Sequence, residues 1–128
     1  MSKSDHQFCN FKVHTQYSIC EGAIKIESLS EISKSNKIKS IGICDSYNLC
    51  GALEFSEKIS KTGTHPIIGT QINFISDTII GRLPIFASNE IGYKNLTKLS
   101  SQSYLSINET SDPHCLLIDL LKNNEGLI

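Results

Sequence analysis

The chain has 128 residues, 39% hydrophobic and 7% aromatic with no tryptophan, enough for one domain whose modest core is built mainly from Ile and Leu. A formal net charge of -1 and a pI near 6.4 leave no global basic field, so charge gives no sign of non-specific phosphate binding. No stretch approaches the roughly 20 apolar residues of a membrane span, and Met1–Gln7 carries no apolar signal region, which predicts a cytoplasmic protein with no membrane partner.

Phe8, Asn10, Lys12 and His14 alternate with Cys9, Phe11 and Val13, the period of two that predicts a strand. His14 falls at its C-terminal end, with a serine and Glu21 in the turn that follows. Ligands of α/β proteins gather at such strand ends. Ala23–Lys37, with Ile26, Leu29 and Ile32 spaced by threes between charged residues, predicts an amphipathic helix. Ser40–Cys44 is a short apolar run of the kind buried on both faces, and Asp45–Asn48 reads as a polar turn.

Leu49–Thr62 predicts a second helix with Leu53, Phe55 and Ile59 inward and Gly63 as its stop. Pro66–Ile75 is a third strand containing Gly69 and Gln71. Ser76 and Asp77 begin a turn, and Leu83–Ala87 is a fourth strand that Pro84 places at an edge. Asn89 is a natural N-cap for a helix over 90–103 with Ile91, Leu96 and Leu99 buried. Tyr104–Asp112 reads as a loop, Pro113–Lys122 as a short helix, and Glu125–Ile128 as the first residues of another strand.

The five cysteines form no C-x-x-C pair, which argues against a zinc ribbon or a thioredoxin-like site and for free thiols packed as small hydrophobes. Strands alternating with helices imply βαβ units and a parallel sheet. The fold class expected is α/β, as one incomplete domain over residues 1–128 that stops after about four βα units.

Five stretches in matching order, Phe8–Gly22, Asp45–Gly51, His65–Gly69, Asn89–Thr97 and Asn124–Ile128, resemble the N-terminal polymerase and histidinol phosphatase (PHP) domain of bacterial DNA polymerase III alpha subunits. The resemblance implies a partial distorted β/α barrel. In active relatives its strand ends hold divalent metals through His and carboxylate ligands, which activate water against a phosphodiester.

Carried over residue by residue, the ligand pattern is depleted here. The His-x-His pair reads Lys12 and His14, the acid that follows is Glu21, the Thr-Asp-His turn reads Cys44-Asp45-Ser46, and Gly-x-Glu reads Gly69-Thr70-Gln71. Lys12, Ser46 and Gln71 are poor or impossible ligands, which leaves His14, Glu21 and Asp45 as weak metal candidates. The Lys12 ammonium is expected to pair with Glu21 or Asp45 as a built-in cation. Asp45 is expected to cap the helix near Leu49 or to organise its own turn, and His14 to be hydrogen-bonded at a strand end. His6, His65 and His114 match no ligand spacing.

What the resemblance implies is a degenerate, metal-free domain with no catalytic residue of its own and a structural role in DNA replication. The parent chain would be a DNA-directed DNA polymerase, a nucleotidyltransferase using Mg in a polymerase domain. Partners implied are the remainder of the alpha subunit, a proofreading exonuclease subunit, and DNA through the holoenzyme. Two alternatives stand beside it: a phosphoesterase or 3′–5′ exonuclease using Zn or Mn on the three surviving ligands, and a truncated non-catalytic remnant.

Overall fold

A computed structural model describes residues 8–108 and 110–128, so His6 and the N-terminal stretch read for a signal region lie outside the described residues. Four helices and four strands follow one another as α1 Ile26–Ser35, β1 Ser40–Ser46, α2 Ala52–Lys61, β2 His65–Ser76, β3 Ile79–Phe86, α3 Glu90–Leu105, β4 His114–Leu116 and α4 Leu117–Lys122. β1 and β4 both pair with β2 in parallel, one after the other along the same edge, and β3 pairs with the other edge.

β3 runs antiparallel to β2, with Ile72 opposite Leu83, so the sheet is mixed rather than parallel throughout. The reason is the link: Asp77, at φ 52°, turns the chain within a tight connection, far too short for the crossover that a parallel neighbour needs. The sheet is an open, α/β arrangement, not a closed barrel.

Residues 8–14 do not form a regular strand. They lie beside β1 with a single bridge, Asn10 to Ile41. Gly42 N donates to Asn10 O and Cys44 N to Val13 O, so the segment spends an extra residue between the two bonds, as at a β-bulge, and the ladder breaks. β1 in turn continues through Asp45 and Ser46, for which the sequence pattern predicts a turn. The predicted helix over 113–122 begins instead as β4, because beyond the end of β1 the edge of β2 offers Asn73–Ile75 as pairing partners. Helix α3 reaches Leu105, past the predicted start of the loop at Tyr104. Glu125–Ile128 forms a bridge, Ala87 to Leu127, and Phe86 and Ile128 exchange both backbone bonds.

The buried faces of the helices differ in part from those that the apolar spacing predicts. α1 buries Ile26, Leu29 and Ser33; α2 buries Ala52, Phe55 and Ile59; α3 buries Gly92, Leu96, Leu99 and Ser103. Ile32, Leu53 and Ile91 are exposed: at 3.6 residues per turn, Ile32 six residues past Ile26, Leu53 two before Phe55 and Ile91 five before Leu96 each fall off the buried stripe. Asn89 caps α3 as expected, its side chain accepting from Gly92 N at 2.9 Å.

Register puts Ile41, Ile43, Ile68, Ile72, Phe74 and Ile85 on one face of the sheet. There α1 and α2 cover the first three of these, together with Phe55 and Ile59, and α3 covers the last three, with Leu96 and Leu99. The opposite face presents Cys44, Ser46, Gln71, Asn73 and Arg82. All five thiols are free. Cys44 and Cys115 are buried as predicted, and burial pushes their pKa values up to about 12 and about 11; Cys20 and Cys50 are exposed instead. No helix among the described residues is long and apolar enough to cross a membrane.

Candidate functional site

The loop from His14 to Ile24 folds tightly on itself before meeting the strand ends. Ser18 N donates to Thr15 O, Gly22 N to Ser18 O and Gln16 N to Ile24 O. Gly22 makes that closure possible: a β-carbon there would strike the carbonyl oxygens of Thr15 and His14. Cys20, at φ 65°, takes the left-handed position at the loop's tip.

Asp45 anchors this loop from β1. It is 1% exposed, and its carboxylate accepts from Thr15 N at 2.6 Å, Thr15 Oγ1 at 2.7 Å and Ser18 Oγ at 2.7 Å. It caps no helix: the N-cap of α2 is Gly51, without a side-chain cap bond. The turn after β1 is organised by Asn48, whose amide donates to Tyr17 O and Ser46 O and whose Oδ1 accepts from Cys50 N. The expected roles of Asp45 thus pass to Asn48, because Asp45 is still within the strand and its neighbours are the loop donors.

Ser46 points to the other face and donates from Oγ to Glu21 Oε2. Glu21 Oε1 accepts from Arg82 Nη1 at 3.3 Å. The Ser46 hydroxyl first, and then the Arg82 charge, hold the Glu21 carboxyl below its ordinary value of 4.5 against a partial desolvation. Lys12 pairs with neither Glu21 nor Asp45 among the described ion pairs. It sits exposed on the irregular segment, and its charge acts on the Cys44 thiol instead. Arg82 is the residue that sequence reading missed. Its signal was present: it is the lone charge in the otherwise apolar run Ile79–Phe86.

Gln71 is 3% exposed, and its Oε1 is buried with no hydrogen-bond partner among the described residues. Asn73, one pleat further on the same face, donates to Tyr47 OH at 3.1 Å. His14 is half-buried with Nδ1 3.4 Å from Ser18 Oγ, a long contact at the edge of hydrogen-bonding range. Tyr17, Glu21, Ser46, Tyr47 and Tyr104 line a cleft of about 130 Å³ beside these groups.

The residues present do not fit a divalent metal. Asp45 is committed to three donors and faces away from Ser46 and Gln71. Glu21 is committed to Ser46 and Arg82, and Gln71 offers a neutral amide. Hard cations need several free oxygen donors with negative charge, and no group of three His, Cys, Asp or Glu able to hold an ion occurs among the described residues. The donor set therefore supports no chemical step through a metal.

An open α/β sheet with helices on one face and a polar cluster where parallel strands end belongs to the class of proteins that place ligand and catalytic sites at such ends. Within that class this chain belongs to the PHP domain family, whose profile matches residues 10–128. It is 37% identical over 123 residues to DNA polymerase III subunit alpha of Rickettsia felis, covering 95% of this chain and 10% of that one. Against the same subunit of Caulobacter vibrioides the identity is 35% over 140 residues, covering 100% and 12%. The chain therefore spans about a tenth of the length of these relatives. Among solved structures, a proposed metal-dependent phosphoesterase from Bifidobacterium adolescentis superposes with a TM-score of 0.56 at 19% identity, over 78% of this chain and 35% of that one, a likeness of fold.

Proposed function

We propose that this chain is a degenerate, non-catalytic PHP domain forming the N-terminal part of a DNA polymerase III alpha subunit, working in the cytoplasm in DNA replication. The observation that carries the reading is the fate of the ligand positions. Ser46 and Arg82 together occupy Glu21, Asp45 is saturated by loop donors, and Lys12 and Gln71 bring no negative charge. In this role the domain supports the rest of the alpha subunit and offers a docking surface to a proofreading exonuclease subunit. DNA synthesis, with Mg, belongs to a polymerase domain elsewhere in the parent protein.

Hydrolysis of phosphoesters by this domain, with Zn or Mn on His14, Glu21 and Asp45, is the competing reading. The fold likeness to a proposed phosphoesterase favours it; the orientation of Asp45 opposes it. The test is metal analysis of the purified chain, with melting curves in zinc, manganese and chelator and a phosphodiesterase assay. Metal-free protein with an unmoved melting point and no turnover is the expected result. Bound metal that chelator removes with a fall in melting point would overturn the proposal. Docking is checked by mixing the chain with the exonuclease subunit of its own source and measuring co-elution.

A further inference from the structure

We infer that Arg82 is a resident cation that does in this chain what a divalent ion does in a metal-bearing site of the same layout: it neutralises a carboxylate and ties separate elements together at the strand ends. The inference rests on the metal-free reading of the site and names the group that stands in the ion's place.

Three nitrogens of Arg82 each reach a different element. Nη1 donates to Glu21 Oε1 in the loop at 3.3 Å, Nη2 to the Tyr47 hydroxyl just past β1 at 2.5 Å, and Nε to Asn73 Oδ1 on β2 at 3.3 Å. The guanidinium carbon also lies 5.3 Å from the centre of the Tyr47 ring, within range of a cation–π contact. Register sets Arg82 opposite Asn73 across the hairpin, on the face that carries Ser46 and Gln71. Loop, β1 end, β2 and β3 are therefore joined through one charged group.

The target of the second nitrogen is itself unusual. Tyr47 holds φ at 63°, a conformation that a bulky residue keeps only when its surroundings impose it. Tyr104 Oη donates to Tyr47 O at 2.6 Å from α3, so Tyr47 is clamped at its carbonyl by one element and at its ring and hydroxyl by Arg82.

Magnitude decides between this reading and an ordinary surface ion pair. Arg82 and Glu21 side chains are 45% and 35% exposed, and an isolated pair at that exposure contributes little, because ordering two side chains offsets the attraction. Here the side chain is ordered once and makes all three bonds, so the entropic cost per bond falls. The planar fork matters as well: its donors diverge at fixed angles toward three acceptors, a geometry that a single ammonium cannot copy. An arginine also needs no dehydration of a dication and no second carboxylate, which matches the neutral amide that Gln71 brings in place of an acid.

The experiment is a thermal double-mutant cycle on the chain: native, Arg82→Met, Glu21→Gln and the double variant, with Arg82→Lys alongside. Arg82→Met is expected to lower the melting point by roughly 3 to 6 °C, Glu21→Gln by less, and the double variant no further than Arg82→Met alone. Arg82→Lys recovers only part of the loss, and if Arg82→Met does not purify it takes that place in the cycle. An unmoved melting point in Arg82→Met, strictly additive shifts, or full rescue by lysine would each overturn the inference while leaving the metal-free reading standing. Zinc or manganese that raises the melting point of the native chain would overturn that reading instead.

Discussion

Thr15 is bound to Asp45 at two atoms, its backbone N–H donating to Oδ1 at 2.6 Å and its hydroxyl to Oδ2 at 2.7 Å, and both residues are buried. With Ser18 as a further donor to Oδ1, the carboxylate fixes the loop to the end of β1. Asp45→Ala would leave three donors facing a cavity, at a cost of about 3 kcal/mol or more. Asp45→Asn keeps one acceptor and is expected to fall between. Denaturant unfolding of both variants checks this; a loss of under about 1 kcal/mol in Asp45→Ala would show that the loop holds without its anchor.

Gly22 and Gly81 form a matched pair of tests. A methyl at Gly22 meets the carbonyls of Thr15 and His14, whereas nothing lies within 4 Å of one at Gly81. Gly22→Ala should destabilise by about 2 kcal/mol through forced backbone movement, while Gly81→Ala stays within about 0.5 kcal/mol of native. Melting points of the two single variants, measured side by side, settle it.

Stability should fall at both ends of the pH scale for one shared reason. Tyr17 OH donates to Glu54 Oε2 at 2.9 Å, and Lys58 Nζ lies 3.1 Å from Glu54 Oε1. The tyrosine hydroxyl, then the lysine, holds Glu54 below its usual 4.5, so its contribution is present above that pH and is lost as pH drops through the depressed value. Glu21 behaves alike. Glu54 raises Tyr17 above 10.0, while Glu27 first and Glu54 next raise Lys58 above 10.5, so their contributions are present below those values and disappear as pH rises through the raised ones. Glu54→Gln should flatten both limbs of a melting-point profile and Glu21→Gln the acid limb alone. An alkaline limb unchanged in Glu54→Gln would contradict the assignment.

Neighbouring apolar residues on α2 differ sharply in what they bury. Phe55 is 0% exposed within the cluster of Ile26, Ile43 and Ile59, and Leu53 is 73% exposed. Phe55→Ala is expected to cost about 3 to 5 kcal/mol and Leu53→Ala no more than about 0.5 kcal/mol, both read by urea unfolding.

Gln71 should tolerate losing its amide. Its buried Oε1 has no partner among the described residues, so Gln71→Met removes an unsatisfied acceptor and keeps the volume, with an expected gain of up to about 1 kcal/mol. Gln71→Glu places a charge in the same buried spot and should destabilise. A clear loss in Gln71→Met would mean the amide is bonded in solution.

Most elements were legible because their signals are local: the apolar run of β2, the capped start of α3 at Asn89 and the Gly63 stop after α2 follow from backbone geometry within a few residues, whereas the alternation over Phe8–His14 predicts a strand that the structure does not form. The face of each helix was legible only approximately: Ile32, Leu53 and Ile91 are placed inward by spacing, and each lies beside the stripe rather than on it.

Residue chemistry alone marks Lys12, Ser46 and Gln71 as poor metal ligands, a reading of side-chain type that needs no coordinates. Tertiary structure decided the rest. It set β3 antiparallel, turned Asp45 toward Thr15 and Ser18 while its neighbour Ser46 faced Glu21, and gave Glu21 its cation from Arg82 rather than from Lys12. The reason is physical: a period is a property of adjacent residues, but the partner of a charge is chosen by strand register and loop closure, which join residues 61 positions apart and leave no mark in the local pattern.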